Sequence, residues 1–167
     1  PPGTFAGAQL SMPGLDVADW LDARAPGDVN AILIAAGRMP DYRIGDHAKE
    51  CFWVTSREWC WRLEFDAPAD SSGPVTQLCL DGVDGVATVW LNGRRVGDCV
   101  NAFFPYRFDV TDRLARGGRN ALVVIFKAVE EIMGAPRHDP ARGWEGMRTK
   151  MRKAQFTFED FLKQMRQ

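Results

Sequence analysis

One stretch of the chain, residues 80–112, constrains the possible folds more than any other. It consists of LDGVDGVATVWLNGRRVGDCVNAFFPYRFDVTD, with apolar and β-branched runs on both sides of Asn92-Gly93. An Asn-Gly pair between such runs predicts a two-residue β-hairpin turn, because both residues tolerate positive φ. An aromatic-rich loop and a third run, closing on residues 110–112, follow the hairpin. The stretch therefore predicts consecutive antiparallel strands.

The residues around this stretch predict further strands and little helix. From Phe52 onward the apolar period is two, and the alternation is clearest from Trp59 to Phe65, which is typical of a strand with one buried and one solvated face. The other predicted strands are residues 75–80, 86–91 and 120–128, the last with both faces buried. A short helix is predicted over residues 29–36, with Asp28 as its N-cap and Gly37 at its end. We interpret the residues before it as an entering strand with loops.

These elements predict an all-β fold: an antiparallel β-sandwich or jelly roll with one or two short helices. The chain has 167 residues, which is enough to bury a substantial core in one domain. A TIM barrel is excluded because it needs about 250 residues. A doubly wound sheet is disfavoured because no long amphipathic helices separate the strands.

Composition excludes several classes of function. A formal net charge of −1 gives no global attraction to nucleic acid or to an anionic membrane. No apolar run approaches the roughly 18 residues of a membrane span. Two histidines without a zinc-like Cys/His cluster predict no metal site, and no cofactor is expected. The even cysteine count leaves disulfides open, but the size of the chain favours free thiols and a cytoplasmic location.

Short motifs occur along the chain in a fixed order. They are APG at 25–27, MPD at 39–41, WCWRLEF at 59–65, LDGVD at 80–84, VWLNG at 89–93, FFPYRFDVT at 103–111 and MRKAQFTF at 151–158. In this order they resemble the N-terminal sugar-binding-like domain of family 2 glycoside hydrolases, particularly the β-mannosidase-like members. The resemblance implies a galactose-binding-domain-like jelly roll that accompanies a catalytic barrel.

The resemblance also implies how the chain is organised and what it lacks. Residues 1–167 are expected to form one sandwich domain of a larger multidomain glycosidase, with residues 130–167 leading toward the missing domains. Retaining glycosidases need two carboxyl groups about 5 Å apart, and this family carries both glutamates on the barrel. We therefore expect no catalytic residue here and no activity from this chain alone, while the parent enzyme hydrolyses terminal β-glycosides with retention.

Four residues near the C-terminus are candidates for substrate binding. The segment containing Arg152 and Gln155 resembles a family motif whose following Asp reaches toward the sugar. Asp160 matches that Asp if one residue is missing, although the Gly and Trp that accompany it in the family are absent. Trp144 lies in a polar, proline-containing segment, where it either is exposed at a ligand or domain interface or packs locally.

The aromatic residues leave an alternative function open. The four tryptophans on predicted strands, Trp53, Trp59, Trp61 and Trp90, are expected to be core residues, and residues 103–106 are expected to pack over one end of the sandwich. Sugar stacking on such rings would instead make the chain an autonomous carbohydrate-binding module or lectin-like jelly roll. Expected partners are a carbohydrate, through the parent enzyme, and the catalytic barrel. Surface meant for the barrel is also expected to let the chain self-associate.

Overall fold

The computed structural model of the chain describes residues 6–69 and 73–132. Within these ranges it contains short α-helices, two 3₁₀ helices over His47–Lys49 and Phe52–Ser56, and strands. In chain order they are α1 (Gly7–Leu10), α2 (Val29–Ala35), β1 (Trp59–Asp66), β2 (Gln77–Leu80), β3 (Ala87–Leu91), β4 (Arg94–Cys99), β5 (Tyr106–Asp109), β6 (Arg119–Phe126) and α3 (Val129–Ile132). The predicted all-β class with a few short helices is confirmed.

The strands form two antiparallel sheets. One sheet has the order β1-β6-β3-β4, and the other pairs β2 with β5. Strand β6 lies inside the larger sheet, and its residues are buried or half-buried from Asn120 to Phe126. The continuous apolar run in β6 follows from this central position, since both faces of the strand are covered.

The hairpin between β3 and β4 forms at the predicted turn. Asn92 and Gly93 have φ values of 50° and 79°, which are the positive values that a two-residue hairpin turn requires. The pairing of Trp90 with Arg95 and of Val89 with Gly97 leaves Val96 as an extra residue in β4. This β-bulge increases the local twist of the strand.

A hydrophobic core fills the space between the two sheets. Its buried members are Val83, Ala87, Val89 and Cys99, and half-buried side chains from both sheets surround them, among them Leu78, Leu80, Tyr106, Phe108, Leu122, Val124 and Phe126. A second cluster, beside the start of β1, consists of Leu33, Met39, Cys51 and Val54 with the half-buried Trp53 and Trp59 against it. The second cluster fixes α2 and the following loop to the sandwich.

Helix α2 ends one residue earlier than predicted, and its capping is as predicted. The Asp28 carboxylate accepts a hydrogen bond from the Ala31 amide at 3.0 Å, which satisfies one of the free donors of the first turn. Gly37 has a φ of 63°, a conformation that commonly ends a helix.

Two segments expected to contain strands are helical where the structure describes them. The described part of the opening segment, residues 6–26, contains α1 and no strand, and the Gly7 backbone lies against the indole of Trp90. Residues Phe52–Ser56 form a 3₁₀ helix, and the hydroxyl groups of Thr55 and Ser56 donate to carbonyl oxygens three residues earlier. Such side-chain bonds stabilise local turns in competition with strand pairing. The alternating pattern that began at Phe52 therefore indicates a strand only from Trp59.

The predicted faces of β1 are also wrong in its second half. Leu63 shares the parity of Trp59, Trp61 and Phe65, the apolar set that the alternation predicts to be buried, but it is 58% exposed. The side chains of Arg62 and Glu64, predicted to be solvated, are only 6% and 13% exposed. Arg62 donates to the carbonyl oxygens of Leu10 and Met12 at 3.0 and 2.9 Å. The segment after α1 therefore covers this face, and its carbonyl groups make the burial of a charged pair tolerable.

The four cysteines all lie in the described ranges, and all are free thiols. Burial raises the pKa of the Cys60 thiol to about 12, so this thiol is protonated at neutral pH. Among residues 6–69 and 73–132, none of the helices has the length and apolar character needed to cross a bilayer.

Candidate functional surface at one end of the sheet

One row of paired residues marks an end of the four-stranded sheet. Trp59 pairs with Phe126, Phe126 with Ala87, and Ala87 with Cys99. Beyond this row lie the 3₁₀ helix Phe52–Ser56, helix α3, residues 85–86 and the loop of residues 100–105. We call this end of the sheet, with those four segments, the exit end, because α3 leads from it toward the C-terminal part of the chain. Helix α3 contacts Phe52–Ser56.

The loop of residues 100–105 is held from within by a single hydroxyl group. Tyr106 Oη accepts from the backbone amides of Val100 and Asn101, both at 2.8 Å, and donates to the Asn101 carbonyl at 3.2 Å. The Asn101 side-chain oxygen accepts from the Phe103 amide at 2.8 Å. The Tyr106 ring stacks on Phe108, with ring centroids 6.0 Å apart, and thereby connects the loop to the core.

The two phenylalanines of this loop point into solvent. Phe103 is 87% exposed and Phe104 is 63% exposed. The prediction that the aromatic segment packs over the end of the sandwich is therefore correct only for Tyr106, which is half-buried. The interior position is taken by Tyr106 because its hydroxyl satisfies the loop backbone, which a phenylalanine cannot do.

A charged loop follows α2 on the second hydrophobic cluster. The Asp41 carboxylate accepts from the backbone amide, Nε and Nη2 of Arg43 at 3.0, 2.8 and 2.8 Å. These hydrogen bonds from Arg43 lower the pKa of Asp41 to about 2. His47 Nδ1 lies 3.2 Å from the Asp41 carbonyl oxygen, and the Cys51 thiol donates to the Pro40 carbonyl at 3.6 Å. These contacts fix the loop at several points, and the charges of Asp41 and Arg43 neutralise each other within it.

A second carboxylate with a lowered pKa lies away from the exit end. Glu64 accepts from Arg62, from Arg119 and, at 2.7 Å, from the Gly14 amide. These hydrogen bonds, with that from Arg62 the largest contribution, lower the pKa of Glu64 to about 2. Asp41 and Glu64 are therefore ionised at neutral pH and have no proton to give to a leaving group. Both carboxylates are hydrogen-bonded to protein groups.

A metal centre is not indicated in the described ranges. The His, Cys, Asp and Glu side chains of residues 6–69 and 73–132 form no group of three or more that could hold a metal ion. The loop from Asp81 to Gly85 connects β2 to β3, and the side chain of Asp81 pairs with Arg107 at 2.6 Å. This carboxylate thus has a protein partner.

The residues predicted to bind substrate, Trp144, Arg152, Gln155 and Asp160, lie outside the described residues and stay predictions. The four tryptophans predicted to be core residues are described, and each is half-buried. Trp53 and Trp59 pack on the second cluster, with ring centroids 5.9 Å apart. The hydroxyl of Tyr106 and the Asp41–Arg43 pair were not anticipated from the sequence.

The chain matches the family model described as glycosyl hydrolase 2 galactose-binding domain-like over residues 8–159. The chain belongs to this family. β-Mannosidase B of Aspergillus terreus is 32% identical over 144 residues, which is 82% of this chain and 17% of that relative. β-Mannosidase B of Thermothelomyces thermophilus is 37% identical over 101 residues, which is 60% of this chain and 12% of the relative.

Two solved structures have a fold similar to that of this chain. The β-D-mannosidase of Dictyoglomus thermophilum matches with a TM-score of 0.65 and 27% identity, over 72% of this chain and 15% of that chain. The exo-chitosanase of Amycolatopsis orientalis matches with a TM-score of 0.65 at 23% identity, over 74% of this chain and 15% of that chain, and this likeness is one of fold alone. The galactose-binding-like jelly roll predicted from the motifs is confirmed, and the chain spans less than a fifth of each of these relatives.

Proposed function

We propose that this chain is the non-catalytic N-terminal domain of a family 2 glycoside hydrolase that removes terminal β-mannosyl residues with retention. One observation carries the proposal: the match to β-mannosidase B covers 82% of this chain but only 17% of the relative. Most of the relative therefore lies outside the domain seen here. In this proposal the remaining part carries the catalytic barrel, and the sandwich braces the barrel and forms one wall of the sugar pocket.

The electrostatics of the described residues support a non-catalytic role. A retaining glycosidase needs a carboxylate nucleophile and a carboxylic acid that is protonated near neutral pH, about 5 Å apart. Within residues 6–69 and 73–132, two carboxyl groups, those of Asp41 and Glu64, have a pKa lowered to about 2, and each is bound by arginine. Lowering of the pKa by arginine is the opposite of what a general acid requires.

The proposal gives the C-terminal segment a role in the pocket. Asp160 is proposed to accept a hydrogen bond from a sugar hydroxyl, with Arg152 and Gln155 positioning its segment against the barrel and Trp144 at the rim. A cytoplasmic location is part of the same proposal, which the free thiols of the core support.

Kinetics of the full-length polypeptide that contains this chain test the proposal. Among p-nitrophenyl β-D-mannoside, β-D-galactoside and β-D-glucuronide, we expect the highest kcat/KM on the mannoside. Asp160→Asn is expected to lower this kcat/KM about 10- to 100-fold, the effect of losing one hydrogen bond to a charged group. Glu159→Gln serves as the matched control and is expected to stay within about twofold of wild type. No hydrolysis of the mannoside by the full-length polypeptide, or a higher kcat/KM on either of the other two glycosides, would contradict the proposal.

A further inference from the structure

We infer that the Asn92-Gly93 turn is a latent deamidation site, which residues 7–14 hold unreactive in the folded chain. We call residues 7–14 the N-terminal latch. Local detachment of the latch then exposes the hairpin to an irreversible chemical change. The inference is independent of the proposed function, because it rests on the contacts of one hairpin turn.

The sequence provides the reactive pair. Asn92 is followed by glycine, whereas the other three asparagines are each followed by alanine: Asn30, Asn101 and Asn120. In deamidation, the backbone nitrogen of the following residue attacks Cγ of asparagine, the bond from Cγ to Nδ2 breaks, and ammonia leaves with the proton of the attacking amide. Water then opens the resulting succinimide ring to aspartate or isoaspartate. Glycine obstructs this attack least, because it has no Cβ atom.

The attacking nitrogen is engaged in the folded chain. The Gly93 amide donates to Ser11 Oγ at 3.0 Å, and Ser11 is fully buried. A Cβ atom at Gly93 would lie 2.8 Å from Met12 Sδ, so the Met12 thioether lies against the same glycine. The nitrogen must lose its proton to react, which removes the donor of the bond to Ser11. The Ser11 hydroxyl gives its own proton to the Gly7 carbonyl at 2.7 Å and so does not support the deprotonated nitrogen.

The attacked side chain is restrained as well. Asn92 Nδ2 donates to Asn120 Oδ1 and to the Arg113 carbonyl, and its Oδ1 accepts from the Ala121 amide. The bond from Ala121 polarises the Asn92 carbonyl, but ring closure must bring Cγ from van der Waals contact with the Gly93 nitrogen to a bond of about 1.45 Å. This movement, on the order of 2 Å, draws the side-chain amide away from its partners. The fold therefore opposes the reaction at both of its atoms.

The latch is the restraint that opens most easily. Its buried residues are Gly7 and Ser11, so it buries little apolar surface. Helix α1 has four residues, fewer than a helix needs to be stable by itself. Side chains of β1 hold the latch through hydrogen bonds with its backbone. A segment with few buried apolar contacts opens at a lower free energy than the whole domain, so latch opening precedes global unfolding as the route to deamidation.

The products cannot replace the lost interactions. An aspartate at this position is ionised at neutral pH and has no N–H to donate. The Arg113 carbonyl and Asn120 Oδ1 would then lose their donor and face a carboxylate. Isoaspartate adds a carbon atom to the backbone of a turn in which Asn92 has a φ of 50°. Both products therefore weaken the hairpin, and the loss of ammonia makes the change irreversible.

Peptide mapping by mass spectrometry of the 167-residue chain, incubated in neutral buffer, measures the rate of deamidation at Asn92. The rate in the folded chain is expected to be at least about 100-fold lower than in the chain unfolded in urea, because the reaction waits for an opening. Ser11→Ala is expected to raise the rate in the folded chain about 3- to 30-fold, the effect of losing one buried hydrogen-bond partner. Arg62→Leu, which releases the latch from β1 and leaves Ser11 in place, is expected to raise it in the same way. A folded rate equal to the unfolded rate, or no increase in the two variants, would overturn the inference.

Val54→Ala is the control that separates latch opening from global unfolding. Val54 is buried in the second hydrophobic cluster, so its truncation lowers the free energy of unfolding without altering the latch. Urea brings this variant and Ser11→Ala to the same free energy of unfolding. Under those conditions Ser11→Ala is expected to deamidate at least about threefold faster, because it also frees the Gly93 amide. Equal rates would assign the reaction to global unfolding and overturn the inference.

Discussion

Two asparagines organise the polar interior of the sandwich at the end opposite the exit end. Asn92 Nδ2 donates to Asn120 Oδ1 and to the Arg113 carbonyl, both at 2.7 Å, and Asn92 Oδ1 accepts from the Ala121 amide at 2.9 Å. Asn120 is fully buried and binds the amide and carbonyl of Ala115 at 2.8 and 3.0 Å. Asn92 thus provides the positive φ of the hairpin and also connects the hairpin to β6 and to the loop before it.

We expect Asn120→Ala to lower the free energy of unfolding by about 2–3 kcal/mol, because it leaves buried partners unsatisfied. Urea denaturation of the 167-residue chain measures the difference. Gln77→Ala, at an exposed position of β2, is the control and is expected to change stability by less than about 0.5 kcal/mol. A similarly small change for Asn120→Ala would show that the network contributes little.

Glu64 makes stability depend on pH in the acid range. Its pKa lies near 2 in the folded protein, below the ordinary value of 4.5, so the unfolded state binds more protons between these values. Stability is therefore expected to be complete above about pH 4.5 and to decrease as the pH falls toward 2. Asp41 and Asp109, whose pKa values are also lowered, contribute in the same direction.

Glu64→Gln is expected to reduce the loss of stability between pH 5 and pH 2 without abolishing it, because the aspartates remain. Urea midpoints measured across this range compare the variant with wild type and with Glu50→Gln, a change at an exposed position. An identical pH dependence in Glu64→Gln and wild type would mean that Glu64 keeps its ordinary pKa in the folded chain.

At these residues, the sequence patterns predict the backbone conformation better than they predict the hydrogen-bond partners of the side chains. The positive φ of Asn92 follows from the Asn-Gly pair, but its bonds to Asn120 depend on residues 28 positions away. In β1, the alternation predicts that the face with Leu63 is buried. The structure instead buries the face with Arg62 and Glu64, because a segment 50 or more residues away covers it and accepts hydrogen bonds from Arg62. Tertiary partners of this kind leave no local signal in the sequence.

At the scale of elements, the close contact between β4 and β5 depends on a residue without a side chain. A Cβ atom at Gly97 would lie 2.4 Å from Cε1 of Phe108 and 3.0 Å from its Cδ1. The ring of Phe108 belongs to the core between the two sheets. Gly97 therefore sets how closely the small sheet packs on the bulged strand.

Gly97→Ala is expected to lower the free energy of unfolding by about 1–3 kcal/mol, as for other insertions of a methyl group into a packed core. Chemical denaturation compares it with Gly82→Ala, where an added Cβ would meet no atom within 4 Å. Equal stability of the two variants would indicate that the Phe108 ring moves aside at no cost.

The helices differ in how far their determinants lie along the chain, and this difference decides which of them could be predicted. Helix α2 was located to within one residue because Asp28 and Gly37 mark its ends. Helix α1 was missed because it packs on Trp90, and its Ser11 hydroxyl accepts from the Gly93 amide at 3.0 Å, 82 residues along the chain. The 3₁₀ helix Phe52–Ser56 had a local signal in Thr55 and Ser56 that the alternating pattern concealed.

For the whole molecule, the order of the motifs predicted the family and fold, which the match over residues 8–159 confirms. The exposure of Phe103 and Phe104 was not predictable, since an aromatic run adjoining a strand is more typical of burial. The substrate-binding residues predicted near the C-terminus remain to be tested.

The central claim is that this domain supports catalysis without performing it. Hydrolysis of p-nitrophenyl β-D-mannoside by the 167-residue chain, with the full-length polypeptide at equal molar concentration as reference, tests it most directly. The claim predicts turnover by the full-length polypeptide and none above the buffer rate by the 167-residue chain. Turnover by the chain, abolished by heat denaturation and retained after repeated purification, would contradict it.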